Sequence, residues 1–374
     1  MLEQISSIAQ LQEAVRQHVR ILPRGGGSKS ALSTPGAQDA VLDLRGLSGI
    51  LEYQPDEYTL TALAGTPVAA IEQALAEHGQ YLPFEPPLAA QGATLGGTVA
   101  AGLSGAGRYR YGGVRDFLIG VRMVDGCGQI VRGGGKVVKN AAGFDLPKLL
   151  VGSLGRLGVL AEVSFKVFPR PKAYGTLRVD CPAVTELVNA LGVLAKAPFD
   201  IDALDVIPHS DAAAGGTLHM RLGGLDDVLQ ERADHLLAYL QTQVSTITHE
   251  ASKISLVRGD EEAALWQAAR AFGWAAEDAV LAKIPTTPQK LLTLEPQLAA
   301  AGLARRYSVG GNVVWVAAPP AFAELNRIVD GLQLSGLNVL GAVDSPWLGK
   351  RPGLAFAQRI KQALDPDQRF LPLA

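Results

Sequence analysis

Glycines, small hydroxyls and cations fall together at a few places in this chain, at spacings that suit an anion or a flat ligand. The first is Leu22-Pro23-Arg24-Gly25-Gly26-Gly27-Ser28-Lys29-Ser30. Successive glycines let backbone N–H groups converge on one point and form an anion nest. Ser28 adds a hydroxyl donor and Lys29 a charge. The Gly-Lys-Ser/Thr spacing of a Walker loop is absent, as is Gly-x-Gly-x-x-Gly opening a helix. By itself a Gly-Gly-Gly run is more often a flexible turn. The second runs from Gly92 to Gly105 and includes Thr94, Leu95, Gly96, Gly97, Ala100, Gly102 and Ser104. Its small residues let a ligand lie along the backbone, or let two elements pack closely. Arg108 to Asp116 follows, mixing Arg110, Tyr111 and Gly112 in what could equally be a solvated loop. The third, Gly133 to Leu146, leads into Val151-Gly152-Ser153-Leu154-Gly155-Arg156-Leu157-Gly158-Val159-Leu160. There glycines recur every third residue and meet a strand, as in a loop hugging a planar ligand.

Acid–base and metal chemistry are harder to find. His209, His219, His235 and His249 stand singly, without His-x-x-x-His spacing, and no metal site is expected. His219 alternates with Arg221, so the two share a face if they lie on a strand. Arg270 follows Trp266 by four, which puts both on one helix face. An arginine beside an aromatic can hold a small carboxylate or stack at an interface. The catalytic residues are thus unknown, with Arg270, His219 and Arg221 as the candidates. Two cysteines, Cys127 and Cys181, are too few for an iron–sulfur cluster or a disulfide framework.

The elements that position these stretches divide at Pro169-Arg170-Pro171, a stiff extended segment. At roughly 100–200 residues per domain, 374 residues suggest two. They are expected at 1–171 and 172–374. Hydrophobic residues at 48% and charged ones at 19% exclude disorder, and a net charge of −2 argues against nucleic acid as partner. The first part reads as a helix over Ile8–His18, then strands at Arg20–Pro23, Ala40–Leu44, Ile50–Gln54 and Tyr58–Leu63. Further on come a helix opened by Pro67, strands at Phe117–Val124 and Val159–Phe168, and Asp145 as the N-cap of a short helix. The second part reads β-α-β-β-α twice, over Gly175–Thr242 and Val280–Leu334. That is a duplicated split βαβ pattern, expected to form one antiparallel sheet with helices on one face. Leu265, Trp266, Phe272 and Trp274 are expected to form an apolar subunit contact. The start lacks a basic n-region and an apolar h-region, so no signal peptide is expected. Arg156 and Glu162 break the most apolar stretch, so no direct membrane span is expected.

Three glycine loops in this order, separated by strands, resemble the flavoproteins of the vanillyl-alcohol oxidase/para-cresol methylhydroxylase (PCMH) type. Arg24 to Ser28 is similar to that family's pyrophosphate loop. Thr94 to Gly97 is similar to its Thr-Ile-Gly-Gly segment, Arg110 to Gly112 with Arg115-Asp116 to its Arg-Tyr-Gly…Arg-Asp segment, and Gly152 to Val159 to its Gly-Ser-Glu-Gly-Thr-Leu-Gly-Val segment. The resemblance implies an α+β fold: a two-part PCMH-type FAD-binding domain followed by an α+β cap domain. It also implies FAD held by Arg24, Gly25, Gly26, Gly27, Ser28 and Lys29 at the pyrophosphate. Thr94, Leu95, Gly96, Gly97, Ala100, Gly102, Ser104, Gly105, Arg110 and Gly112 would line the ribityl and flavin, with Gly152, Ser153, Gly155, Gly158 and Val159. Covalent relatives often carry a histidine after the glycine loop. Ser28 stands there, which implies non-covalent FAD.

Lys139 to Leu149, Arg258-Gly259-Asp260, Trp266 and Leu364-Asp365-Pro366-Asp367 resemble in particular the FAD-binding E subunits of bacterial glycolate oxidases, also called glycolate dehydrogenases. This implies a cytoplasmic FAD-dependent oxidoreductase acting on the CH–OH of 2-hydroxy acids, taking glycolate to glyoxylate. Its partners would be a D-type flavoprotein subunit and an F-type iron–sulfur subunit, with membrane association only through the complex. The alternative is an autonomous D-2-hydroxy-acid dehydrogenase, of D-lactate type. Two departures stand out. Leu154 occupies a position where most relatives have glutamate, and the Asn-Pro-Gly common near their C-terminus is absent.

Overall fold

The computed structural model describes residues 1–32, 34–135, 145–209, 215–244, 247, 254–320 and 323–373. The expected loop over Lys136–Phe144, His249, and the expected helix start at Ala321 lie outside these residues. Backbone contacts divide the chain into two units: 1–104 with 112–170 and 352–374, and 105–111 with 171–351. One passage between the units falls between Arg170 and Pro171. The expectation that 172–374 forms one domain needs correction, because the last 23 residues pack into the first unit. Phe370 is 2% exposed in that unit's core, and the Ile21 N–H donates to the Arg369 carbonyl at 2.7 Å. Conversely, Ala106 packs with Ala203 and Trp266 in the second unit.

The first unit has two parts, as expected. A small parallel sheet is ordered Leu2–Gln4, Ala40–Asp43, Ile21–Arg24. Helix Ile8–Gln17, capped by Ser7, buries Leu11, Ala14 and Val15 in the same core at helical spacing. A five-stranded antiparallel sheet is ordered Ile50–Gln54, Thr59–Leu63, Val159–Lys166, Leu118–Val124, Ile130–Gly134. Its strands alternate as the sequence suggested, with Leu60 and Ala62 buried between half-buried Thr59 and Thr61. The helices Leu95–Ala101, inside the small-residue stretch, and Leu354–Leu364 were not anticipated, nor were the single turns Arg108–Tyr111 and Val114–Phe117.

The second unit is a nine-stranded sheet. Its order is Ile254–Arg258, Ala173–Cys181, Gly216–Gly224, Ala203–Pro208, Ala304–Ser308, Val313–Ala318, Val280–Pro285, Ser335–Leu340, Trp347–Gly349, and neighbours are antiparallel. The two copies of the pattern meet at the pair Val206–Tyr307, each with its third strand in the middle. Each copy also gains a sixth element, Ile254–Arg258 or Ser335–Leu340, completing β-α-β-β-α-β. Leu218, Met220 and Leu222 face a core shared with helices Val184–Leu194, Leu229–Gln243, Leu291–Ala300 and Ala323–Gly331.

The other face is not helix-free, contrary to expectation. Helix Gly259–Ala271 lies on it: the Trp266 indole N–H donates to the Thr176 hydroxyl at 2.8 Å, and Thr176 points away from the core that holds Leu177. The expected apolar contact changes with it. Trp266 and Phe272 are 5% and 6% exposed, and Phe272 sits on the Trp315 ring at 4.6 Å, so both are covered by their own unit.

Candidate functional site

The glycine loops converge in the first unit on one cavity of about 720 Å³, mouth included. Strand Ile21–Arg24 ends at its rim and releases the chain into Gly25, Gly26 and Gly27. A Cβ on Gly25 would strike the Thr94 hydroxyl, and one on Gly26 would strike the Gly92 carbonyl. Gly27 adopts φ +68°, a region that glycine enters without penalty. Among the described residues no carbonyl accepts from the N–H groups of these three glycines. Three backbone donors of residues that line the cavity thus have no acceptor among the described residues, which is the condition for an anion nest.

Helix Leu95–Ala101 forms a second wall. Thr94 caps it, its hydroxyl accepting from the Gly97 N–H at 3.3 Å. The first donors of this helix are already used, Leu95 on the Thr66 carbonyl and Gly96 on the Ala64 carbonyl. The unpaired backbone donors at this cavity therefore belong to the Gly25–Gly27 loop. Lys29 lines the cavity, is 6% exposed and reaches Ser28 Oγ at 3.4 Å. Burial away from water pulls its pKa from 10.5 down to about 8. No Asp or Glu lines the cavity, so nothing there neutralises this ammonium.

The third wall is the turn before strand Val159–Lys166. Ser153, Gly155, Gly158 and Val159 line the cavity, and so does Leu154, at φ +53°. Two bonds tie this turn to the end of the helix: the Gly152 N–H to the Val99 carbonyl at 3.0 Å, and the Leu154 N–H to the Ala100 carbonyl at 2.8 Å. Pro23, Leu32, Leu44, Ala64, Ala101 and Leu160 supply apolar lining that the sequence did not single out. They are ordinary core types, and no local signal separates a core leucine from a cavity leucine.

Of the expected cofactor residues, Gly25–Lys29, Thr94, Gly96, Gly97, Ala100, Ser153, Gly155, Gly158 and Val159 come together here. The others are placed around the cavity as scaffold or away from it. Arg24 ends the strand, Leu95 is fully buried, and Gly102 is the left-handed C-cap of the helix, packed on Gly152. The Ser104 hydroxyl accepts from the Val114 N–H, and Gly112 makes room for Asp116, which caps the Gly113 N–H. Gly105 and Arg110 belong to the second unit, where Arg110 pairs with Asp202 at 2.8 Å and Asp200 at 3.0 Å.

Of the catalytic candidates, His219 and Arg221 lie on the second unit's polar sheet face, and Arg270 lies on helix Gly259–Ala271. His219 is 4% exposed, and burial together with Arg306 and Arg178 pushes its pKa down to about 3, so it is neutral at pH 7. Arg221 is committed to buried Glu262 at 2.7 Å and stacks over Tyr174 at 3.9 Å. Arg221 and Arg306 stand beside the Trp266 ring, 5.4 and 5.3 Å from its centroid. Arg270 sits half-buried in the last turn of its helix, where a cation complements the helix dipole. Sequence reasoning missed Lys283 and Arg306. Lys283 stands opposite Trp315, which stands opposite Arg306. Burial, with Arg108 nearby, lowers the Lys283 pKa to about 8. Arg306 donates to Asp205 at 2.7 Å, yet its buried Nη2 has no acceptor among the described residues. No cluster of potential metal ligands occurs among the described residues, and no helix among them is long and apolar enough to cross a membrane.

Comparison with known proteins agrees with this geometry. A family described as FAD binding domain matches residues 3–134. The glycolate oxidase subunit GlcE of Escherichia coli (strain K12) is 46% identical over 197 residues, covering 53% of this chain and 56% of that protein. The glycolate oxidase subunit GlcD of Bacillus subtilis (strain 168) is 34% identical over 191 residues, 51% of this chain and 39% of that protein. The matches thus span about half the length of the first relative and about two fifths of the second. A solved alkyldihydroxyacetonephosphate synthase shares the fold, with TM-score 0.69 at 16% identity, over 100% of this chain and 76% of that one. A cradle of free backbone donors, one uncompensated lysine, a few hydroxyls and a partly apolar remainder fits a dinucleotide's pyrophosphate and flat rings. This chain therefore carries a PCMH-type FAD-binding domain, joined to an α+β cap with a large antiparallel sheet, and is closely related to the glycolate oxidase subunit GlcE.

Proposed function

We propose that this chain is the FAD-binding subunit of a multi-subunit glycolate oxidase or dehydrogenase, working with a D-type flavoprotein and an F-type iron–sulfur subunit in the cytoplasm. The observation that carries the reading is the cavity whose three free glycine donors and Lys29 face no acid of the chain. Gly25, Gly26 and Gly27 would bind the pyrophosphate through their N–H groups, with the Lys29 ammonium supplying charge. Leu154, Val159 and Leu160 would exclude water from the ring system. FAD, when bound, accepts the two electrons released as glycolate becomes glyoxylate.

What the chain lacks supports an accessory role. His219, with a pKa near 3, takes a proton poorly at pH 7, and Arg221 is held by Glu262. Cys127 and Cys181 are a surface thiol and a buried one, too few for a cluster relay. Electrons would pass to partner centres. The test is to purify the chain with and without D- and F-type partners and to assay glycolate and D-lactate with an artificial acceptor. Activity confined to the complex is the expected result; equal turnover by the flavin-loaded single chain sinks the reading. Acid precipitation of the yellow protein should leave the colour in the supernatant, since no Cys or His lines the cavity.

One observation favours the second reading, an autonomous D-2-hydroxy-acid dehydrogenase. Lys283 and the spare Nη2 of Arg306 make the polar sheet face attractive to a small carboxylate. If the lone chain does turn over D-lactate or glycolate, Lys283→Met should raise KM more than it lowers kcat.

A further inference from the structure

One wall of the FAD cavity is held from behind by the far end of the chain. Lys361, on helix Leu354–Leu364, is 3% exposed. Its ammonium has three hydrogens and meets three acceptors: the Arg156 carbonyl at 3.0 Å, Asp365 Oδ2 at 2.6 Å and the Phe370 carbonyl at 3.0 Å. Asp365 is fully buried and accepts from the backbone N–H groups of Arg369 at 2.8 Å and Phe370 at 3.0 Å. A lysine this deep occurs only when paired, and here every donor and the partner carboxylate are satisfied.

The Arg156 carbonyl belongs to the turn that lines the cavity at Ser153, Leu154, Gly155 and Gly158. Leu154 and Gly155 are consecutive left-handed residues, at φ +53° and +69°. A leucine in that region persists only where its surroundings over-determine it. The same tail reaches the opposite wall. Arg369 accepts from the Ile21 N–H at 2.7 Å, and its guanidinium donates to the carbonyls of Arg16 and His18, each at 3.0 Å. Ile21 begins the strand that runs into Gly25, and the two walls touch where the Pro23 ring packs on Gly155.

We infer that Lys361, paired with Asp365, is a positioning residue for FAD: it fixes the Arg156 carbonyl, and so sets the turn Ser153–Val159 against the Gly25–Lys29 loop. Lys361 need not touch FAD. The inference rests on the FAD reading of the cavity and not on any substrate or partner.

The test uses full-length apoprotein titrated with FAD, read by quenching of flavin fluorescence and by the shape of the visible absorption band, with melting followed separately without FAD. Lys361→Met is expected to fold, to bind FAD roughly tenfold more weakly, about the worth of one hydrogen bond to a charged group, and to blur the vibrational shoulder of the visible band. Asp365→Asn, which keeps the shape and one acceptor oxygen, is expected to shift both readouts less and in the same direction. Should Lys361→Met fail to fold, Asp365→Asn decides on the same readouts. A variant that melts earlier yet binds FAD with the wild-type Kd and spectrum overturns the inference and leaves the pair a plain structural contact. Failure of the wild-type apoprotein to bind FAD would instead overturn the reading of the cavity itself.

Discussion

The two units carry their polar groups in opposite ways. In the first, the cavity is defined by what is missing: side chains at Gly25 and Gly26 that would strike Thr94 and Gly92, and acids that would neutralise Lys29. Its chemistry belongs largely to the backbone. In the second, side chains from four adjacent strands make the polar face. Arg306 and Ser308 bond Asp205 at 2.7 and 2.6 Å, and Asp205 stands opposite His219, which stands opposite Arg178. A site made of backbone tolerates no added atom. A site made of paired side chains tolerates no deleted one.

Gly26→Leu should have the largest effect on the first unit. The new side chain must enter the space of the Gly92 carbonyl, so FAD binding should be lost. Titration of the refolded variant checks this, and retention of yellow FAD would break the contrast. On the second unit the corresponding blow is a deletion. Asp205→Ala leaves the Arg306 guanidinium buried without its carboxylate and should cost about 3–5 kcal/mol of stability. Denaturant unfolding would measure it, and a loss below about 1 kcal/mol would show that the pair is not the anchor of that face.

Lys29→Met sharpens the comparison, because Lys29 is the charged side chain in the backbone-made cavity. Losing its charge-assisted contact should weaken FAD by roughly 1.5–3 kcal/mol. The wild type should carry a matching pH signature. A dianionic pyrophosphate raises the lysine's pKa above its apo value of about 8, so binding takes up a proton and FAD affinity falls as pH rises past about 8. Without FAD the sign of stability is opposite. Between about 8 and 10.5 the unfolded chain holds a proton that the folded chain has released, so this group makes the apoprotein more stable as pH rises. FAD affinity that is flat from pH 7 to 10 would remove Lys29 from the anion site. The smallest effect is expected at Thr94→Ala. It removes the cap on the Gly97 N–H and should cost about 1 kcal/mol, seen as a small fall in Tm.

Much of the first unit was legible in the sequence because its signals are local. A glycine run after a short strand, an Asp145 cap that accepts from the Lys148 N–H at 3.3 Å, and the alternation through Leu60 and Ala62 each depend on neighbours a few residues away. Helix Leu95–Ala101 was hidden for the same reason. Its glycines and β-branched residues argue against a helix, and what holds it is the bonding of Leu95 and Gly96 to Thr66 and Ala64. Arg110 was assigned to the cofactor on its place in a motif, while its charge partners, Asp200 and Asp202, lie some ninety residues away.

The sequence by itself determined that backbone would lie bare at Gly25–Gly27, because only glycine lets a chain pass as close as these residues pass Thr94 and Gly92. It also determined the twofold repetition of the second unit, since the alternating and helical periods are written into each segment. Tertiary structure alone decided which residues meet across strands and between distant segments of one unit: Val206 with Tyr307 at the joint of the two copies, Lys283 in line with Arg306, and helix Leu354–Leu364 returning to hold Arg156. Those pairings span up to 205 residues, and burial energy selects among them only after the whole sheet and core have formed, so no local pattern could announce them.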